Sequence, residues 1–394
     1  MRILHIIPYF YPAWAYGGTC RAAWEVARHV AKRGHEVIVH TTDALDANRR
    51  AHPGVETVEG VEIHRFRNVS NRLAWSRLFF PAGFGLHVAG ALRRADVVHL
   101  HEYRSFQDAA ALPFLVRYRV PFILTAQGSV PRLIGRFALK QVYDALVGRH
   151  LLQRAARLHA LNTMEEIQFR EVGGRPDQIF VSPNGIDVDE YRTLPPSDAR
   201  AFRARYHIAP DAPVVLFLAR INKIKGVDFL VSAFAEVCRA QPGAVLVIAG
   251  PDDGYLSVVK DQLHRLGIED RVRFTGYLDG AAKLEAYQSA DLYVLPSRYE
   301  MFAITLLESL ACGTPIIATD RCGLADLVRH NGLGSVVAYD DVAGLAAELL
   351  RVVRAPAEAR RGAGARRQFV LDNFGWDKIA AGWEQVYAEC ASEG

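Results

Sequence analysis

Apolar, β-branched runs alternate with longer stretches of helical periodicity along the whole 394-residue chain, and the pattern occurs twice. In the first half the strand candidates are residues 3–7, 36–40, 61–66, 97–101, 122–125, 158–161 and 179–181. In the second half they are 214–218, 244–249, 272–274, 292–295, 315–318 and 334–337. Helical patterns fall between most of them, for example 19–33, 226–239, 281–289 and 304–311. Strands that are apolar throughout, each followed by a helix, bury both faces. The pattern therefore predicts an α/β chain of two Rossmann-like, doubly wound parallel-sheet domains. The length agrees, because one hydrophobic core rarely serves so many residues.

The break is expected at Leu194-Pro195-Pro196-Ser197, where two prolines bar regular structure and Ser197 is suited to cap a new helix. This gives domains over 1–196 and 197–374. Residues 375–394 form a last helix, whose Trp376, Trp383 and Tyr387 call for a packing partner. Two such sheets facing each other would form a cleft lined by the C-terminal ends of their strands, where open α/β sheets bind ligands.

No run reaches the roughly 20 uncharged apolar residues that span a bilayer. The opening Met1-Arg2-Ile3-Leu4-His5-Ile6-Ile7 reads as a first strand rather than a signal peptide. Cys20, Cys238, Cys312, Cys322 and Cys390 are scattered, odd in number and without a CxxC. That spacing predicts a reducing, cytoplasmic setting and no structural zinc. Residues 1–200 hold 26 Lys+Arg against 19 Asp+Glu, and the remainder 21 against 24, so the first half is the basic one. Its densest stretch, 131–157, sets Arg132, Arg136, Lys140, Arg149, Arg154 and Arg157 against Asp144, interleaved with Leu133, Phe137, Val142, Leu146 and Leu151. An amphipathic helix with a basic face is expected there. Such a face is either solvated or placed against an anionic membrane or acceptor. No nucleic-acid partner is expected.

The segment from Pro296 to Glu308 follows a strand and opens a helix, with Glu300 before the helix and Glu308 one turn into it. A helix start offers free N–H groups and partial positive charge to a phosphate, and a nearby carboxylate accepts hydrogen bonds from hydroxyls. After the first strand of the same half, Arg220 and Lys225 occupy another strand-to-helix loop on the same sheet edge, where two cations can neutralise a diphosphate.

With these residues in hand the chain resembles the retaining glycosyltransferases of family 4, which have the two-Rossmann-domain GT-B fold. The paired glutamates, the Arg-x4-Lys loop, residues 181–187 (Val-Ser-Pro-Asn-Gly-Ile-Asp) and residues 290–297 (Ala-Asp-Leu-Tyr-Val-Leu-Pro-Ser) match that family in order over essentially the whole chain. The resemblance implies transfer of a sugar, with retained configuration and without a metal or cofactor, from a UDP- or GDP-linked donor to a glycan or lipid-linked acceptor. It places this on the inner face of a bacterial membrane, as a peripheral protein. It implies that Arg220 and Lys225 grip the diphosphate, Glu308 the ribose and Glu300 the sugar. The backbone of Phe302, Ala303 and Ile304 would supply amides, Gly250 would admit the nucleotide, and Tyr277 and Leu278 would flank the base. The last helix would cross back to the first domain.

In the first half, Gly17-Gly18 opens a helix after the first strand and allows close approach of donor phosphate or sugar. His99 and His101 alternate on one strand face. A metal pair there lacks a third ligand in the sequence, so His101 is expected to line the cleft or to be a hydrogen-bonded core residue. Asn184 belongs to the matched 181–187 segment and falls on the sugar or acceptor side. Gln127 stands where many relatives carry a histidine beside the transferred sugar; glutamine donates a hydrogen bond but does not titrate. Ala219, Met301 and Ala303 replace common glycines. Two rival activities fit the same architecture, a nucleotide-sugar 2-epimerase and a nucleotide-sugar-binding homologue with weak or no transfer. An NAD oxidoreductase does not fit, because neither half carries GxGxxG after its first strand.

Overall fold

A computed structural model describes residues 1–131, 137–193 and 199–393. The chain divides into two compact units: Met1–Gly185 with the C-terminal helix Trp376–Glu393, and Ile186–Gly375. The proline break 194–197 lies outside the described residues. The observed division falls upstream of it, because residues 186–192 are tied to the second unit. Ile186 bridges to Gly375, and the Arg367 guanidinium donates to the Tyr191 carbonyl at 2.6 Å.

The first unit is built on β1 (Arg2–Ile6), β2 (Glu36–Thr42), β3 (Gly54–Val58), β4 (Val61–Phe66), β5 (Val97–His101), β6 (Phe122–Thr125), β7 (Arg157–Ala160) and β8 (Ile179–Val181). Their order is β3-β4-β2-β1-β5-β6-β7-β8, parallel except for the antiparallel edge pair β3–β4. Sequence reasoning missed β3, because its residues are exposed and carry no core signal. A tight turn makes it: Glu59 and Gly60 both have positive φ, 46° and 82°, the combination a two-residue hairpin of native twist requires. The helix Gly18–Lys32 covers the sheet, and the C-terminal helix packs beside it. Trp376, Ile379, Ala380, Trp383, Tyr387 and Cys390 enter the same core as Val26, Val30 and Val39. Arg33 and His35 both hold Glu384, at 2.6 and 2.8 Å.

The basic stretch is not one regular helix. Helices Phe137–Tyr143 and Arg149–Arg154 are joined by a wider, π-type turn at Asp144–Gly148, while Arg132, Leu133 and Arg136 lie outside the described residues. The reason is local. Gly148 lies against the Tyr103 hydroxyl, which a Cβ would meet at 2.5 Å, and Arg104 ties down Asp144 at 2.7 Å.

In the second unit β9 (Val214–Leu218), β10 (Val245–Ala249), β11 (Val272–Gly276), β12 (Leu292–Leu295), β13 (Ile316–Thr319) and β14 (Ser335–Val337) form an all-parallel sheet in the order β11-β10-β9-β12-β13-β14. Strand order reverses between β9 and β12 here, and between β1 and β5 in the first unit. At such a switch point neighbouring loops part to opposite faces of the sheet and leave a crevice at its C-terminal edge. Among the described residues no helix is long and apolar enough to cross a membrane.

Candidate functional site

The loops that follow β9 and β12 flank the switch point of the second unit, and they carry the residues singled out by sequence. After β9 the chain turns through Ala219–Gly226. Asn222 caps a short helical turn by accepting the Lys225 amide at 3.1 Å, which fixes the backbone of the lysine. Gly226 has φ 67°, and a Cβ on it would meet the Pro296 carbonyl at 2.0 Å, so only glycine lets the two loops approach this closely. The Arg298 amide closes the seam by donating to Ile224 O at 2.8 Å. The seam brings Lys225 Nζ into an ion pair with Glu300, both side chains largely buried. Arg220 behaves differently. It is half exposed and held by Asp253 at 2.7 Å, with Asn222 on the same carboxylate at 2.9 Å.

Glu300 is anchored through its backbone, accepting from Gly323 and donating to Arg321 O. The helix Ile304–Ala311 begins with no side-chain cap, as a site for an incoming acceptor of hydrogen bonds requires. Of the three amides expected to serve a phosphate, that of Ile304 already donates to Phe302 O at 3.2 Å, while Phe302 and Ala303 are buried. Glu308 accepts from Lys283 Nζ at 2.7 Å and from the Tyr287 hydroxyl at 2.9 Å. Lys283 and Tyr287 were not singled out by sequence. Their signal was an i,i+4 pair on one face of the helix Gly280–Ser289, directed at the neighbouring helix. Burial, then the Glu308 charge, pushes the Tyr287 hydroxyl well above its usual value, so it stays a donor at all working pH. Tyr293, on β12, donates to Thr305 at 2.7 Å, and burial raises its hydroxyl, with the Glu300 and Glu308 charges acting in the same direction.

Gly250 meets a need of the backbone itself. Its φ is 142° and a Cβ would strike the Ala219 carbonyl at 1.9 Å, so the glycine is required by the protein's own backbone. Tyr277, at the end of β11, is 61% exposed, and Leu278 beside it is half-buried. Both stand on the C-terminal edge of the sheet, two strands from β9.

In the first unit Gly17 and Gly18 follow β1, with open space where a Cβ would stand on either, and Gly17 has φ 99°. After β5 comes Glu102 (φ 69°), bonded to Tyr9; Arg77 lies 5.0 Å over the Tyr9 ring. Gln127, half-buried after β6, has φ 47°. Asn184, after β8, is buried. His101 is 1% exposed and does not line a surface, because strands β1 and β6 flank it and His5 and His99 stack on its ring.

The structure also supplies the third imidazole that sequence spacing lacked: His5, His99 and His101 bring ligand atoms within 4.8 Å of one another. Their nitrogens are nevertheless already engaged, in one directed chain. His159 Nε2 must donate to the Ser182 carbonyl (2.7 Å), so its Nδ1 accepts from Thr125 (3.0 Å). Thr125 then accepts from His99 Nε2 (2.6 Å), and His99 Nδ1 accepts from Tyr387 (2.7 Å). Tyr387 faces His5 Nε2 at 3.5 Å, and His5 Nδ1 accepts from His101 Nε2 at 3.0 Å. Only His101 Nδ1 ends without a partner. Burial holds His5 down to about 3 and His159 to about 4, and His99 and His101 well below the ordinary range, so all four are neutral hydrogen-bonding groups of the core.

Residues 198–368 match the family of group 1 glycosyl transferases, and residues 17–185 match the glycosyl transferase 4-like domain. The chain is 30% identical to glycogen synthase of Mycobacterium tuberculosis over 98% of its own length and 94% of that protein's. It is 31% identical to a D-inositol 3-phosphate glycosyltransferase of Xylanimonas cellulosilytica, over 95% and 92% of the two chains. Among solved structures, Anabaena HepE in complex with UDP and glucose superposes with a TM-score of 0.78 at 18% identity, covering 99% of this chain and 100% of that one. Two parallel-sheet units, each with its switch point, and similarity that runs the length of the chain lead to one conclusion: the chain belongs to the group 1 glycosyl transferases of family 4 and is a nucleotide-sugar glycosyltransferase with the GT-B fold.

Proposed function

We propose that the second unit binds the donor at the β9/β12 switch point, and that transfer retains the configuration of the sugar. The observation that carries this is the seam between the two loops, where Lys225 meets Glu300 while Glu308 is set by Lys283 and Tyr287. A diphosphate at the uncapped start of Ile304–Ala311 would lie beside Lys225, with Arg220 on the exposed side. Glu308 would accept from ribose hydroxyls and Glu300 from those of the sugar. Arg220, Lys225 and the helix start then stabilise the charge that develops on the departing diphosphate, while the acceptor hydroxyl enters on the same face and gives its proton to that phosphate. In this scheme the two cations do the work that a metal does elsewhere.

The donor we favour is a UDP-linked hexose, since HepE binds UDP and glucose. Titration calorimetry against UDP- and GDP-sugars tests this. Wild type should bind a UDP-sugar, and Lys225→Ala should lose binding and turnover while its circular dichroism is unchanged. Equal donor turnover by both proteins would remove the assignment. The anomeric configuration of the product, read by NMR, tests retention, and turnover undiminished by a chelator tests metal independence.

The acceptor reading is a glycan or lipid-linked saccharide at an anionic membrane surface. Phe137, Leu139, Val142 and Leu146 are all more than half exposed on the segment that carries Lys140, Arg149 and Arg154. Apolar side chains beside cations suit the headgroup boundary of a bilayer. An epimerase would change the donor sugar with no acceptor present, so product analysis without acceptor separates the two activities.

A further inference from the structure

Two consecutive acids follow β10, and they do different jobs. Asp252 serves the fold: its Oδ1 accepts the amides of Gly254, Tyr255 and Leu256 at 2.9, 3.0 and 3.1 Å, and so starts the helix Leu256–Leu266. Asp253 turns instead to the loop after β9. Its Oδ2 takes Arg220 Nη1 at 2.7 Å and the Asn222 side-chain amide at 2.9 Å. The transfer scheme gives Asp253 no role.

Through Asn222 the same carboxylate reaches the second cation. The Asn222 amide is used at both ends: Nδ2 donates to Asp253, and Oδ1 accepts the Lys225 N–H at 3.1 Å. The carboxylate is itself held still. Asp253 N donates to Ile221 O at 3.1 Å, Ile221 N to Pro251 O at 2.9 Å and Ala219 N to Ala249 O at 3.0 Å, so the two loops run as a short ladder. Folding stability is not what the ion pair supplies. The Arg220 and Asp253 side chains are 54% and 44% exposed, and a pair so exposed contributes little to folding. What it fixes is direction: a bond at Nη1 orders a long side chain and leaves the rest of its five-donor fork for phosphate. Ordering the side chain before a ligand arrives removes a cost that binding would otherwise bear. Asp253 also repels a diphosphate, but at an exposed edge solvent and salt screen that repulsion, while the direct hydrogen bonds act at contact. Positioning outweighs repulsion.

We propose that Asp253 is a positioning residue of the donor site: its carboxylate aims Arg220 directly and sets Lys225 through Asn222, so that both cations stand ready for a diphosphate. The inference rests on the donor reading above, in which those two cations grip the diphosphate, and it concerns residues of the second unit alone.

The test is a double-mutant cycle on the full chain with Asp253→Ala, Arg220→Ala and the double variant. UDP binding is read by calorimetry, and binding of uridine, which lacks the diphosphate, by ligand-observed NMR. Asp253→Ala should weaken UDP binding on the order of tenfold, the scale of ordering one long side chain, and leave uridine binding unchanged. Once Arg220 is alanine the same change should weaken UDP binding by a clearly smaller factor, because only the path through Asn222 remains. A merely structural Asp253 would weaken both ligands together, or UDP by an equal factor in both backgrounds. A carboxylate that chiefly repels the donor would, when removed, let UDP bind more tightly. Any of these results, or an unchanged UDP affinity, would overturn the proposal. If Asp253→Ala does not fold, Asp253→Asn, which keeps an acceptor for Asn222 and drops the charge that holds Arg220, carries the same cycle. A wild type that does not bind UDP, or whose UDP affinity survives Arg220→Ala and Lys225→Ala alike, would remove the donor reading itself, an outcome distinct from equal factors in the cycle.

Discussion

Lowering the pH should unfold the first unit before the second, because the first unit buries neutral histidines and the second does not. His5 and His40 are held down to about 3 and His159 to about 4, in each case chiefly by burial. A histidine whose folded value is depressed binds its proton more readily in the unfolded chain. Its contribution is therefore complete above pH ~6.5 and is lost as the pH falls towards the folded value. Between pH ~6.5 and ~4.5 that is about two pH units for each residue, or about 3 kcal/mol each at ~1.4 kcal/mol per unit. Three such residues reach on the order of 8 kcal/mol, and His99 and His101 act in the same direction. A folding unit of this size is stable by only about 5–15 kcal/mol.

The hydrogen-bond chain gives the same answer in structural terms. His5, His99 and His159 each accept through one bare nitrogen, and a second proton turns that acceptor into a donor facing a donor. In the second unit His207, His264 and His330 are all exposed. All five tryptophans, Trp14, Trp24, Trp75, Trp376 and Trp383, belong to the first unit, and Trp383 stacks on His99 at 4.7 Å. Tryptophan fluorescence therefore reports the first unit alone. It should show a cooperative transition above pH ~4.5, and His159→Gln, which keeps a donor for Ser182 O without the titration, should move that midpoint to lower pH. Tryptophan emission and near-UV dichroism unchanged from pH 7 to 4.5 would refute the reasoning.

Tyr287→Phe removes one of the two donors to Glu308 and should weaken UDP binding by about 1 kcal/mol, read by calorimetry, with little change in kcat at saturating donor. Gly250→Ala should destabilise the second unit by on the order of 2 kcal/mol or more, seen as a lowered transition in scanning calorimetry, because the added Cβ would collide with Ala219 O. Replacing Phe137 and Leu146 with glutamate should abolish sedimentation with anionic lipid vesicles and leave UDP binding intact. Undiminished sedimentation would separate this face from the membrane reading.

The period of the apolar runs decided the α/β class, and chain order alone placed Arg220, Lys225, Glu300 and Glu308 on strand-to-helix loops, since a parallel sheet puts every such loop on one edge. Local signals of this kind survive because they concern neighbours in sequence. The tertiary structure decided what depends on distant residues coming together. Sheet order put β9 beside β12 and so joined Lys225 to Glu300; helix packing gave Glu308 its partners Lys283 and Tyr287. The pairing of β1 with β5 decided between the two readings of His101, making it the end of a buried chain that starts at Ser182 rather than a residue lining the cleft. The same holds for Gly250, whose steric neighbour is the carbonyl of Ala219, 31 residues earlier in the chain. No pattern along the sequence carries that information, because burial and contact between separate strands are properties of the packed sheet.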